Sequence, residues 1–262
     1  MCGLVGLWTP PGCAQVRDLH QSAAAMASAL QHRGPDDAGV WVDSSAGVAL
    51  AHQRLAIVDL SPAGHQPMAS VSGRYLIAFN GEIYNHQALR KQLQRSGGLA
   101  QSWRGHSDTE TLLAAIEAWG LEGALQRCAG MFALALWDRQ EQVLHLARDR
   151  FGEKPLYWGW LDQAGQRVLV FASELASLRA CPGAAAPSVN PEALAAFVHA
   201  GCLPAPLSIY AGLQQLLPGH CVAFSSPYQH LDPQPWWVLQ QQAQQAFIQQ
   251  PILGSSPESA VL

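Results

Sequence analysis

The 262-residue chain is poor in charge, with 13% charged residues and no run of lysine or arginine. Its formal net charge of −4 offers no electrostatic footprint for nucleic acid. Long apolar runs are missing as well. Stretches such as Met131–Trp137 fall far short of the ~20 residues that cross a bilayer. The N-terminus has no basic region leading into an apolar segment, so no secretory signal is expected. A cytoplasmic protein with neither nucleic-acid nor membrane partners is the expectation. No C-x-x-C pair occurs among the six cysteines at 2, 13, 128, 181, 202 and 221, and no histidine joins them at zinc-ligand spacing. Free thiols and no bound metal are therefore expected. Neither a G-x-G-x-x-G after a strand nor a G-x-x-x-x-G-K-[ST] occurs, and no fixed-period repeat is found.

What is present is a chain 49% apolar, enough for one large domain or one domain plus the start of another. Residues 2–8 read as a buried strand, and Val16–Leu30 as a helix ended by Gly34-Pro35. Gly39–Val42, Val48–Ile57 and Arg74–Phe79 read as strands, the last closing on Asn80-Gly81, a strong turn pair. Asn85 is expected to cap a helix to about Arg95. Thr109–Trp119 reads as another helix, with Ser107, Asp108 and Thr109 as cap candidates. Met131–Trp137 with Gln142–Ala147, and Pro155–Leu161 with Arg167–Ala172, read as strand pairs. Short turns between strands favour an α+β fold of antiparallel sheets over a doubly wound parallel one. Cys181–Pro187 is linker-like, and Asn190-Pro191 starts a helix through His199. A short strand at His220–Phe224, a Gln-rich segment over 240–250 and a helix-start signal in Ser256–Leu262 follow.

Cys2 has an unusual base within reach. Removal of Met1 leaves its α-amine free, with a pKa of roughly 7.7–8, beside a thiol of pKa about 8.5. That amine can take the thiol proton and later protonate a leaving ammonia. Alone, a cysteine at position 2 carries little weight. It is followed in order by His32-Arg33-Gly34-Pro35-Asp36, by His52-Gln53-Arg54-Leu55-Ala56-Ile57-Val58-Asp59, and by Phe79-Asn80-Gly81-Glu82-Ile83-Tyr84-Asn85. Ser107-Asp108-Thr109-Glu110 and the run Ala147–Tyr157 complete the series. With Cys2-Gly3-Leu4-Val5-Gly6 at its head, the series resembles the glutaminase domain of class II glutamine amidotransferases, and more narrowly that of glutamine-hydrolysing asparagine synthetases.

The resemblance implies an N-terminal-nucleophile hydrolase fold, a four-layer αββα sandwich of two antiparallel sheets, here with a short C-terminal extension. It implies a glutaminase domain over residues 2–187, and over 188–262 a linker with the beginning of a truncated asparagine synthetase domain. Cys2 takes the role of nucleophile toward the side-chain amide of L-glutamine, and Asn80 with Gly81 that of the oxyanion hole. Arg54 takes the substrate α-carboxylate, Leu55, Ala56, Ile57 and Val58 line the site, and Asp108 with Glu82 nearby receives the α-ammonium. In isolation, Asn80-Gly81 reads as a hairpin turn, Arg54 as a surface ion pair and Asp108 as a helix cap. The motifs around Arg33 and over Arg148–Tyr157 read as architectural. The family's Ser-Gly-Gly-(Leu/Ile)-Asp-Ser loop is missing, so ATP and Mg are expected only for an absent synthetase domain or chain, which is a candidate partner; a homodimer is another. A sister amidotransferase for a different acceptor, and a non-catalytic regulatory remnant, are the alternatives.

Overall fold

All six residues of strand β1, Gly3–Trp8, are buried, which a strand achieves only inside a sheet covered on both faces. The computed structural model describes residues 1–10, 19–95, 103–163 and 165–249. After β1 come α1 (Leu19–Ser28), β2 (Asp37–Asp43), β3 (Val48–Arg54), β4 (Met68–Ala69), β5 (Tyr75–Ile83), α2 (His86–Arg95) and α3 (Asp108–Arg127). Then follow β6 (Gly130–Asp138), β7 (Val143–Arg148), β8 (Tyr157–Gln163), β9 (Gln166–Ala172), α4 (Leu175–Arg179) and α5 (Pro191–Ala200). The last described elements are β10 (Leu213–Gln215), β11 (His220–Phe224), β12 (Gln234–Pro235) and α6 (Leu239–Gln249).

The strands form two six-stranded sheets, ordered β10-β8-β9-β1-β3-β2 and β12-β11-β7-β6-β5-β4, with every pairing antiparallel. Side-chain alternation assigns the layers. Leu4 and Trp8 of β1 join Trp137, Leu146 and Phe171 in the core between the sheets, where Trp8 meets Trp137 edge-on with ring centroids 5.2 Å apart. Val5 and Leu7, one residue out of phase, pack outward on Ala23, Met26 and Leu30. In the second sheet Leu76 and Ala78 point inward, while Ile77 and Phe79 cover Leu89, Leu112 and Ile116 of α2 and α3. Helix, sheet, sheet, helix is the resulting order of layers.

Several local expectations give way to tertiary context. β5 runs straight through Asn80-Gly81 to Ile83, paired residue by residue with Met131, Phe132 and Ala133 of β6, so no hairpin turn forms there. β3 stops at Arg54 and not at Ile57. Asn85 precedes α2, but its carboxamide accepts from Ala129 N–H and donates to the Arg127 carbonyl, bracing the α3–β6 corner instead of capping. α3 continues past Trp119 to Arg127 through a break at Gly120, whose φ of 71° only glycine adopts cheaply. α1 ends at Ser28, two residues before its expected stop. Val16–Asp18, Cys13 and Ser256–Leu262 lie outside the described residues. The division expected at residue 187 coincides with no edge of the sheets: β10 extends the first sheet beside β8, and β11 extends the second beside β7. The Asn190 side chain caps α5 through the Glu192 and Ala193 amides.

Candidate active site

Cys2 stands one residue ahead of β1, and the register Gly3↔Gln53 brings it beside the end of β3. Its Sγ lies 3.3 Å from the Leu55 amide nitrogen and 3.5 Å from the Leu55 carbonyl oxygen. Its own carbonyl accepts from Arg33 Nε at 2.9 Å, and Arg33 is held by Glu174 at 2.6 Å. Burial pushes the thiol up from its ordinary value, against lowering by the Leu55 amide, the terminal ammonium and Arg54. Cys128 and Cys181 lie deeper, and burial drives their thiols to about 12 and about 11, which leaves them unreactive.

The opposite wall comes from β5, and its register fixes which backbone groups face the cavity. Phe132, the partner of Gly81, directs its amide to the Asp149 carboxylate at 3.1 Å and its carbonyl to the Asp149 amide at 2.8 Å, both away from Gly81. The Gly81–Phe132 pair is thus the non-bonded kind, and the Gly81 N–H points off the free edge of β5. Two residues either side, the same edge is occupied: the Phe79 amide donates to Gln66 Oε1 at 2.7 Å, and the Ile83 amide to Asp108 Oδ2 at 2.8 Å. Between them sits the Asn80 side chain, 1% exposed, whose Nδ2 is buried with no hydrogen-bond partner among the described residues. Only glycine fits at 81, because a Cβ would come within 2.3 Å of the Met131 carbonyl oxygen.

Arg54 is buried and donates to the carbonyls of Asp59 and Ser61, with Asp37 Oδ2 4.0 Å away. Gly64 leaves the guanidinium room, since a Cβ there would stand 2.1 Å from Nη2. Asp59 ties the loop down by accepting from Ser61 Oγ and N and from the His106 amide, and the Ser61 hydroxyl leads the groups that hold its carboxyl down to about 2. Asp108 opens α3 just after the true cap, Ser107, whose hydroxyl accepts from the Glu110 amide. Burial raises the Asp108 carboxyl, opposed by the Ile83 amide. His52 Nε2 donates to the Phe79 carbonyl at 2.9 Å and so ties the two sheets together behind the site. Burial holds that imidazole down to about 4.

One cavity is lined by Cys2, Arg54, Leu55, Ile57, Val58, Asn80, Gly81, Glu82 and Asp108. Ile57 and Val58 are exposed at its rim. Ala56, grouped with them from the sequence, is not in the wall; its amide donates to Asp36 Oδ2. The wall also includes Gln66, Met131 and Met1, which lie outside the motifs, and Phe79, Thr109 and Lys154, which lie within them without a role assigned at the site. Gln66 had a signal of sorts, as a polar residue before proline, but nothing in sequence tells that its carboxamide bridges β5 and Thr109. Among the described residues, no three His, Cys, Asp or Glu side chains are grouped to hold a metal ion.

A family model described as a glutamine amidotransferase domain matches residues 1–237. Asparagine synthetase [glutamine-hydrolyzing] 1 of Bacillus subtilis is 35% identical over 219 residues, covering 84% of this chain and 33% of the relative. Asparagine synthetase B [glutamine-hydrolyzing] of Escherichia coli is 38% identical over 178 residues, covering 68% of this chain and 30% of the relative. The chain therefore spans about a third of the length of these curated relatives. Among solved structures, glutamine phosphoribosylpyrophosphate amidotransferase from B. subtilis superimposes with a TM-score of 0.62 at 19% identity, covering 90% of this chain and 49% of that one. At that identity the likeness bears on the fold, which is the N-terminal-nucleophile αββα sandwich.

Proposed function

Because the chain belongs to the glutamine amidotransferase domain family, we propose that it hydrolyses L-glutamine to L-glutamate and ammonia at Cys2, with Met1 removed, and that the ammonia serves the conversion of aspartate to asparagine. The observation that carries the reading is the buried, unpartnered Nδ2 of Asn80, which shares one cavity with Cys2. A donor with no acceptor in the resting protein suits charge that appears only during reaction.

The Cys2 α-amine accepts the thiol proton as Sγ attacks the amide carbon of glutamine. The carbonyl oxygen becomes an oxyanion, which receives hydrogen bonds from Asn80 Nδ2 and the Gly81 amide. Collapse expels ammonia, protonated by the same amine, and leaves a thioester. Water, deprotonated by the amine, then releases glutamate and restores the thiol. Arg54 receives the α-carboxylate, for which a guanidinium can pair through two parallel bonds. Asp108, with Glu82 beside it, receives the α-ammonium. A cationic and an anionic anchor in one pocket select the free amino acid over glutamine within a peptide.

Glutamine hydrolysis by these residues calls for no metal or nucleotide. ATP and Mg belong to activation of the acceptor carboxylate, a task for a synthetase domain on the same or another polypeptide. The relatives' names support aspartate as acceptor. A cytoplasmic location fits that partnership, and no helix among the described residues is long and apolar enough to cross a membrane. The test is release of glutamate and ammonia from glutamine by the parent protein and by Cys2→Ala. Hydrolysis by the parent, abolished in the variant, is expected; undiminished hydrolysis by Cys2→Ala would refute the assignment.

A further inference from the structure

The run Arg148–Tyr157 contains two buried ionic groups whose hydrogen bonds go largely to backbone. The Asp149 carboxylate accepts from the amides of Phe132, Phe151, Glu153 and Lys154, all at 3.0–3.1 Å. The Arg148 guanidinium donates to the carbonyls of Gly152, Lys154 and Leu216 at 2.5, 2.7 and 2.6 Å. Lys154 is therefore fixed at both its amide and its carbonyl. Its side chain, only 6% exposed, reaches into the glutamine cavity, where Nζ lies 3.2 Å from Met1 Sδ. Among the described residues, no carboxylate forms an ion pair with it. Burying a cation unpaired is costly, and a protein that arranges it next to a reacting group gains a local field in return.

Met1 is the residue whose loss creates the new terminus, so Nζ packs against the side chain that leaves, in the cavity that Cys2 also lines. We propose that Lys154 is a positioning residue of this site: its charge keeps the α-amine of processed Cys2 neutral and able to accept the thiol proton. This rests on the reading of Cys2 as an N-terminal nucleophile. The other charged groups around that amine are largely engaged. Arg54 of β3 is bonded to the Asp59 and Ser61 carbonyls, and Asp108 of α3 to the Ile83 and Thr109 amides. Arg33, after α1, is paired with Glu174, after β9. Asp59 is held by Ser61 and His106, and Glu82 of β5 lines the same wall. Lys154 supplies the cation in that wall without a bonded oxygen among the described residues.

The experiment is the pH profile of kcat/KM for glutamine hydrolysis in the parent, Lys154→Met and Lys154→Arg, with thermal unfolding of each. A neighbouring positive charge lowers an amine pKa, so its removal raises the midpoint of the acid limb. For two charges within one partly buried cavity, a rise of up to about one pH unit is expected. KM should change little, and Lys154→Arg should keep the parent's midpoint. If Lys154→Met fails to fold, Lys154→Gln carries the same expectation. An unmoved acid limb in the neutral variant, or an equal shift in Lys154→Arg, overturns the proposal. Either result leaves the Cys2 reading standing so long as Cys2→Ala is inactive; a parent that turns over with Met1 in place removes that reading itself.

Discussion

Replacing Asn80 by alanine should separate catalysis from folding. The Nδ2 group is buried and makes no hydrogen bond among the described residues, so its removal breaks no hydrogen bond of that group. An unsatisfied buried donor already carries a desolvation cost of roughly 1–3 kcal/mol, and relief of that cost offsets the small void left behind. The melting temperature should accordingly stay near that of the parent. The transition state is different, because the lost donor faces the forming oxyanion. One such donor is worth about 2.7–4 kcal/mol, a loss of ~10²–10³ in kcat. KM should move little, since the carbonyl of bound glutamine is not yet charged. Glutamate release measured across substrate concentrations, together with denaturant unfolding, gives both quantities. A kcat that stays within a factor of about ten of the parent's would refute the oxyanion role, given that a missing donor costs at least a hundredfold.

Gly64→Ala would push a methyl group to 2.1 Å from Arg54 Nη2, and should raise KM for glutamine with little loss of kcat; a KM equal to the parent's would show that Arg54 does not anchor substrate. Gly81→Ala would drive a Cβ into the Met131 carbonyl oxygen at 2.3 Å and the Phe132 Cβ at 2.6 Å. Overpacking of that kind should cost about 1–3 kcal/mol in denaturant unfolding as well as activity. His52 is held neutral at about 4 by burial, against 6.5 in the unfolded chain. The unfolded state therefore binds the proton first, so the contribution is fully present above pH 6.5 and is lost as pH falls toward 4, by about 3 kcal/mol in all. His52→Gln should flatten the stability profile over that interval, and an unchanged slope would contradict it.

The strands were legible because β1, β5 and β6 contain short apolar runs of strand length, but which side chain faces which layer emerges only from the packing of both sheets, since both faces are buried. Asn80-Gly81 was not legible, since a pair that favours a tight turn in isolation is held extended by β6, and the small size of Gly81 serves close strand approach instead. Asn85 shows the same override: its carboxamide finds better partners at Arg127 and Ala129 than at the helix start. At the site, the sequence motifs point to Cys2, Arg54, Asn80 and Asp108, which share one cavity. Lys154 escaped notice because its motif looks architectural, and Arg148 and Asp149 do fix the loop. That it also sends an ammonium into the cavity depends on packing between distant segments, which local pattern does not encode. Of the edge strands after residue 187, β11 was legible at His220–Phe224, whereas β10 is three residues long and gains its place only by pairing with β8.

The central claim is that Cys2, freed of Met1, is the group that attacks glutamine. Intact mass and peptide mapping after exposure to a diazoketone analogue of glutamine test it most directly. The expected result is a chain lacking Met1, with a single adduct on Cys2, protected by free glutamine and accompanied by complete loss of glutaminase activity. An active chain that retains Met1, or inactivation with the adduct on another residue, would contradict the account.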